Sequence, residues 1–321
     1  MTRKRVVKQH GASSAASKVQ RSARVQRDEA PSRWWLKRGL LALVIFLLVP
    51  CLQKTLPELI QHLVYTHRVR VPFFIDLSRP SDLSLNHTVN MYLTSEEGIS
   101  LGVWHTVPES KWKEAQGKDL AWYQDTLKDR SPVFIYLHGN TGTRAAAHRI
   151  GVAKVLSALG YHVLVPDYRG FGDSTGEPTE AGVTTDALYV YNWVKERSGD
   201  SLVVIWGHSL GTGVATNAAV KLHEQGRSFD GVILEGTFNT KGQEMPIFTW
   251  VNFWNLSLLT CEDDHLAPIQ TVQELYEVAV MAQNAERVKM VPFDGSLGYL
   301  HNGLYRDPHL PDSLQKFVLS L

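Results

Sequence analysis

Cysteine is nearly absent from this 321-residue chain, which has only Cys51 and Cys261. One falls in an apolar run and the other beside an expected core strand, so a shared disulfide is not expected. Their number says nothing about redox compartment. Metal-ligand spacings, phosphate-cradling glycine loops, internal repeats and heptad runs are also missing, so no cofactor and no metal is expected. Net charge is small, at +1 from 33 Lys and Arg against 32 Asp and Glu. The balance hides an asymmetry. Eleven basic residues lie between Arg3 and Arg38, opposed only by Asp28 and Glu29. The rest of the chain is therefore mildly acidic, which argues against a nucleic-acid partner.

Residues 1–38 have no apolar periodicity and read as a basic, disordered tail. A charge-free run, Gly39 to Leu52, follows. It is shorter than the roughly 20 residues of a full span, but Trp34, Trp35, Lys37 and Arg38 suit an interface on one side. A transmembrane segment over 39–56 is the reading this pattern supports. A signal peptide would lack so long a charged leader and would carry a small-residue cleavage site. The positive-inside rule then puts the tail in the cytosol and the rest of the chain on the lumenal or outer side. Two glycosylation sequons occur, at Asn86 and Asn255. The first sits in a loop-like stretch, and the second enters an expected strand.

Residues 57–86, broken by Pro57, Pro72 and Pro80, read as a linker, and 87–321 as an α/β domain. His87 to Leu93 and Ile99 to His105 alternate around Glu96-Glu97-Gly98, an antiparallel hairpin. A polar, Lys-rich insertion spans about 108–130. Strands are then expected at Pro132–Leu137, Tyr161–Pro166, Leu202–Trp206, Gly231–Glu235, Leu256–Thr260 and Val288–Phe293, with helices over 143–159, 183–198, 210–224, 269–284 and 311–320. Such alternation specifies a mostly parallel sheet with helices on both faces.

The chemistry centres on Gly207-His208-Ser209-Leu210-Gly211, between an apolar strand and a helix. In that context G-x-S-x-G is a nucleophile elbow, with Gly207 and Gly211 small so that strand and helix can pass closely. A serine hydroxyl needs a base, and the base an orienting carboxylate, in the chain order Ser, acid, His. Asp264 follows a strand and precedes Pro268, which places it ahead of Asp263. His301 lies on a glycine-rich loop after the last strand, unlike His265 and His309. The oxyanion needs two backbone donors. Leu210 supplies one, and the loop His138-Gly139-Asn140-Thr141-Gly142 the other, from Asn140 or Thr141. The run Asp167 to Ser174 reads as a structural turn whose Asp and Arg tie neighbouring loops.

These segments, together with Val71 to Leu77 and Gly102 to Pro108, resemble the membrane-anchored branch of the α/β-hydrolase-domain family. The resemblance covers most of 71–240 and resumes at Glu262–Asp264 and Gly298–His301. It implies an α/β-hydrolase fold, the triad Ser209, Asp264 and His301, and lipase activity on single-chain lipids such as lysophosphatidylserine or monoacylglycerol. It also implies a single-pass type II endoplasmic-reticulum membrane protein with a lumenal active site, where the Asn86 sequon would be usable. The interval from Glu235 to Asp264 is shorter than the family carries, leaving a reduced lid at about 239–255, and Gly236 stands where the family shows Ser. A catalytically silent membrane protein is therefore one rival reading, and a thioesterase or peptidase on the same fold another.

Overall fold

The structure is a computed structural model that describes residues 37–38, 64–237, 255–282 and 285–321. The transmembrane segment assigned to 39–56, nearly all of the basic tail, and the reduced lid except Asn255 lie outside the described residues. Among the described residues, no helix is long and apolar enough to cross a membrane.

Eight strands form one sheet: β1 Thr88–Glu96, β2 Ile99–Thr106, β3 Val133–Leu137, β4 His162–Pro166, β5 Val203–His208, β6 Gly231–Glu235, β7 Leu256–Cys261 and β8 Val288–Phe293. Their spatial order is β1-β2-β4-β3-β5-β6-β7-β8. β1 and β2 pair antiparallel, β2 pairs antiparallel with β4, and every pairing from β4 to β8 is parallel. The expected hairpin and the expected parallel strands are all present.

Among the described residues the α-helices are α1 Leu120–Thr126, α2 Ala147–Ala158, α3 Glu180–Lys195, α4 Leu210–Glu224, α5 Ile269–Ala282 and α6 Leu310–Val318, with short 3-10 turns between elements. β3 shows why both faces need cover. Val133, Ile135 and Leu137 enter one apolar cluster, with residues of α3, α4 and α5, whereas Phe134 and Tyr136 enter another, with residues of α2 and α6. A strand alternates its side chains between faces, so a continuous apolar run requires a layer on each side. Each fully buried side chain of this kind contributes about 1.5–3 kcal/mol.

Two stretches are more ordered than their composition suggests. Within 108–130 the chain builds α1, where Asp119 accepts from the Trp122 amide and Tyr123 packs with Val107 and Ala115 in a small cluster of its own. Polar residues dominate this segment by count, but the buried Ala115, Tyr123 and Leu127 suffice to dock it. Residues 64–86 also pack on the domain: Leu77 and Leu85 join Trp104 and Ala145, and the Trp104 indole N–H donates to Leu77 O at 2.8 Å.

The register sets up the site. Leu137 of β3 lies opposite Gly207 of β5, His208 opposite Glu235 of β6, and Cys261 of β7 opposite Phe293 of β8. The carboxyl ends of these strands thus share one edge, where ligands of open parallel sheets bind.

Candidate active site

Ser209 joins β5 to α4 with φ 52° and ψ −118°, a conformation costly for a residue with a Cβ. Its amide donates to Glu235 O at 3.0 Å, which locks the turn against β6. Close approach accounts for both flanking glycines. A Cβ on Gly207 would overlap the Gly211 carbonyl, and one on Gly211 would overlap the Leu137 carbonyl. Leu210 is the first residue of α4, so its amide has no acceptor within the helix.

Asp264 and His301 meet at 2.7 Å through Oδ2 and Nδ1. The other carboxylate oxygen accepts from the amides of Leu266 and Ala267 at 2.9 and 3.0 Å. Burial pushes this carboxyl up, but the His301 bond and the two amides outweigh it and hold it below the usual carboxylate range. An ionised carboxylate only accepts, so Nδ1 carries the proton and, in the neutral ring, Nε2 is the nitrogen left to accept one. The neighbouring carboxylate does a different job: Asp263 Oδ2 accepts from the Leu300 amide at 3.0 Å, where the chain turns with φ 52°. His208 Nε2 donates to His301 O at 2.9 Å, and the two rings are 5.0 Å apart. The His301 loop is therefore held by the residue before Ser209. A Cβ on Gly236 would stand only 2.9 Å from His301 Cε1. His265 and His309 are exposed.

Loop 138–142 lies directly against the serine, since a Cβ on Gly139 would be 3.0 Å from Ser209 Cβ. Asn140 clamps it to the segment before β1: Oδ1 accepts from the Thr66 amide at 3.0 Å and Nδ2 donates to Val64 O at 2.6 Å. The same Oδ1 takes the Thr141 amide at 3.0 Å, and the Thr66 and Thr141 hydroxyls are hydrogen-bonded. Of the two expected donors, the Thr141 amide is thus already engaged. No hydrogen-bond acceptor for the Asn140 amide is found among the described residues.

Three buried groups carry roles that local sequence did not mark. His208 holds the His301 loop. Glu235 accepts from the Trp206 indole at 2.9 Å, and burial pushes its carboxyl up to about 8, with the indole opposing and Asp264 adding. Arg149 binds the carbonyls of Gly139 and Thr141 from below, at 2.9 and 2.5 Å. The Asp167–Ser174 run is the structural turn its residues suggest. Asp167 accepts from the amide and the guanidinium of Arg144 at 2.7 and 2.6 Å, and Arg169 pairs with Asp186 at 2.8 Å.

A cleft of about 500 Å³ opens beside the Asp264–His301 pair, lined also by His148, Leu266, Tyr299, Leu300, Tyr305 and Arg306. Among the described residues, no cluster of side chains could hold a metal ion. Asn86 is exposed, whereas Asn255 is half-buried and its sequon Ser257 is buried.

Comparison with known proteins agrees with this architecture. The family described as alpha/beta hydrolase fold matches residues 132–272. The Pyrococcus furiosus esterase superimposes with a TM-score of 0.57 at 20% identity, covering 78% of this chain and 97% of that one. An α/β serine hydrolase without lid from Xanthomonas campestris gives a TM-score of 0.54 at 18% identity, over 73% of this chain and 94% of its own. Both show the fold alone. Sequence relatives are nearer. The lysophosphatidylserine lipase ABHD12 of Danio rerio is 43% identical in an alignment that covers 89% of this chain and 84% of the relative. Protein ABHD12B of Homo sapiens is 43% identical in an alignment that covers 81% of this chain and 80% of its own. With that identity over nearly its whole length, the chain belongs to the ABHD12 family of α/β hydrolases.

Proposed function

We propose that this protein is a membrane-anchored serine hydrolase that cleaves the ester bond of single-chain lipids, of the lysophosphatidylserine or monoacylglycerol class, through an acyl-enzyme. The observation that carries it is the 2.7 Å Asp264–His301 pair, on the strand edge where Ser209 heads α4. In this reading His301 Nε2 takes the Ser209 proton as Oγ attacks the ester carbonyl. The amides of Leu210 and Asn140 stabilise the oxyanion, because the Thr141 amide is bound elsewhere. Collapse of the intermediate expels the alcohol, protonated by His301. Water, activated by the same imidazole, then releases the fatty acid. Asp264 holds the tautomer throughout. The choice of lipid rests on the relatives, whose name gives lysophosphatidylserine as their substrate.

The basic tail and the apolar run support a single-pass anchor in the endoplasmic reticulum membrane, with the catalytic domain lumenal and Asn86 available for a glycan. A fluorophosphonate probe tests the chemistry whatever the lipid. Labelling and lysophospholipid hydrolysis are expected in the wild type and lost in Ser209→Ala. Failure of the correctly folded wild type to label would favour the silent-protein reading suggested by the short interval after Glu235.

A further inference from the structure

Arg149 is the least expected residue of the site's foundation. It sits in the first turn of α2, only 1% exposed, and its guanidinium is in no ion pair among the described residues. Asp167 is already bound by Arg144. Nη2 donates to Gly139 O and to Thr141 O, while Nε and Nη1 are buried without an acceptor. Burying a cation with idle donors is expensive, and an apolar side chain of the same length would fill the space at less cost. What only the guanidinium supplies is its grip on two carbonyls of loop 138–142.

Those carbonyls matter for what lies on the other side of the peptide. Gly139 O accepts from Arg149 Nη2 at 2.9 Å and from His138 Nδ1 at 2.7 Å, so both of its lone pairs are taken. The same peptide carries the Asn140 N–H, and in a trans peptide C=O and N–H point opposite ways. Pinning the oxygen beneath the loop therefore aims the N–H above it, and Gly139 lies against Ser209. Hydrogen bonding at the oxygen also polarises the amide and strengthens its N–H as a donor.

We propose that Arg149 is a positioning residue of the oxyanion hole: it clamps the Gly139–Asn140 peptide from below and sets a buried positive charge under the site where oxyanion charge develops. The proposal rests on the serine-hydrolase reading, and it adds a residue that touches neither substrate nor nucleophile. Its effect belongs to the transition state, because the charge it answers is absent from the bound ester.

The test uses the full-length protein and a soluble short-chain ester, with fluorophosphonate titration counting competent sites and a trifluoromethyl ketone standing in for the tetrahedral oxyanion. In Arg149→Met, kcat per titrated site is expected to fall roughly 10- to 100-fold, within the range seen on loss of one oxyanion donor. The ketone Ki should rise by the same factor, with KM nearly unchanged. Arg149→Lys keeps the charge but replaces the guanidinium, whose Nη2 bonds both carbonyls, with a shorter ammonium, so its losses should be smaller, on the order of three- to tenfold. A merely structural role would lower the number of titrated sites and leave Ki and kcat per site alone, and that result overturns the proposal. If Arg149→Met does not fold, Arg149→Lys decides: wild-type kcat and Ki in that variant also overturn it. A wild type whose labelling survives Ser209→Ala removes the serine-hydrolase reading. A labelled wild type with an indifferent Arg149→Met removes only this inference.

Discussion

His301 Nδ1 lies 2.7 Å from Asp264 Oδ2, although 37 residues separate them in the chain. The bond joins the turn after β7 to the loop after β8, and parallel pairing of those two strands brings the turns side by side. Adjacent carboxylates divide the work there, Asp264 on the imidazole and Asp263 on the Leu300 amide. Asp264→Asn presents an amide NH₂ or a weaker acceptor to Nδ1, so the tautomer is no longer enforced. A drop in kcat on the order of 10⁴-fold is expected. Asp263→Asn retains an acceptor for Leu300 and should cost less than about tenfold. Steady-state rates on a soluble ester check both, and the reverse order would exchange the two assignments.

Ser209 has φ 52°, so its Cβ is a burden to the fold, carried for the hydroxyl that the proposed reaction uses. Ser209→Gly and Ser209→Ala should be equally dead, but the glycine variant should be more stable by about 1–2 kcal/mol. For a domain of this size that is a rise of roughly 2–4 °C in Tm per kcal/mol. Equal melting temperatures for the two variants would refute the strain.

Glu235 makes stability depend on pH in an unusual direction. Its carboxyl stays protonated up to about 8 in the folded state, against an ordinary 4.5. Unfolding between those values releases a proton, so stability falls as pH rises through the window and levels off above it. The size is on the order of a few kcal/mol. Glu235→Gln keeps an acceptor for Trp206 and should flatten Tm between pH 5 and 8, within about 1 °C per unit from this group. Thermal melts of both proteins across that range are the measurement, and parallel curves would contradict the assignment.

Two glycines in the same helix should respond in opposite ways. A Cβ on Gly211 overlaps the Leu137 carbonyl, a backbone atom that cannot swing aside, whereas one on Gly213 meets nothing within 4 Å. Gly211→Ala should lose about 3 kcal/mol or more, and with it probe labelling. Gly213→Ala should gain about 0.5–1 kcal/mol from helix propensity. Denaturant midpoints read both.

The proposed topology has its own consequences. Full-length protein should resist carbonate extraction and carry an endoglycosidase-sensitive glycan on the exposed Asn86. Residues 71–321 should be protected from protease in sealed microsomes. Digestion there without detergent would reverse the orientation.

The sequence alone determined the strands and helices of the sheet, because alternating burial and continuous apolar runs are local patterns that each element carries by itself. It also determined the elbow, since the close passage of β5 and α4 demands small residues at Gly207 and Gly211 whatever surrounds them. Chain order narrowed the candidate acid to two neighbours and the candidate base to one loop. Only the tertiary structure decided which carboxylate faces His301, that the Thr141 amide is taken by Asn140, and that residues 64–86 are fastened to the domain. Arg149 and Glu235 are the clearest cases. Each is a charged residue type that composition assigns to the surface, and burial comes from the partners that fold over it. Those partners lie on other elements, so no local pattern announces them: Arg149 closes on a loop that strand β3 delivers, and Glu235 is covered by Trp206 from the next strand.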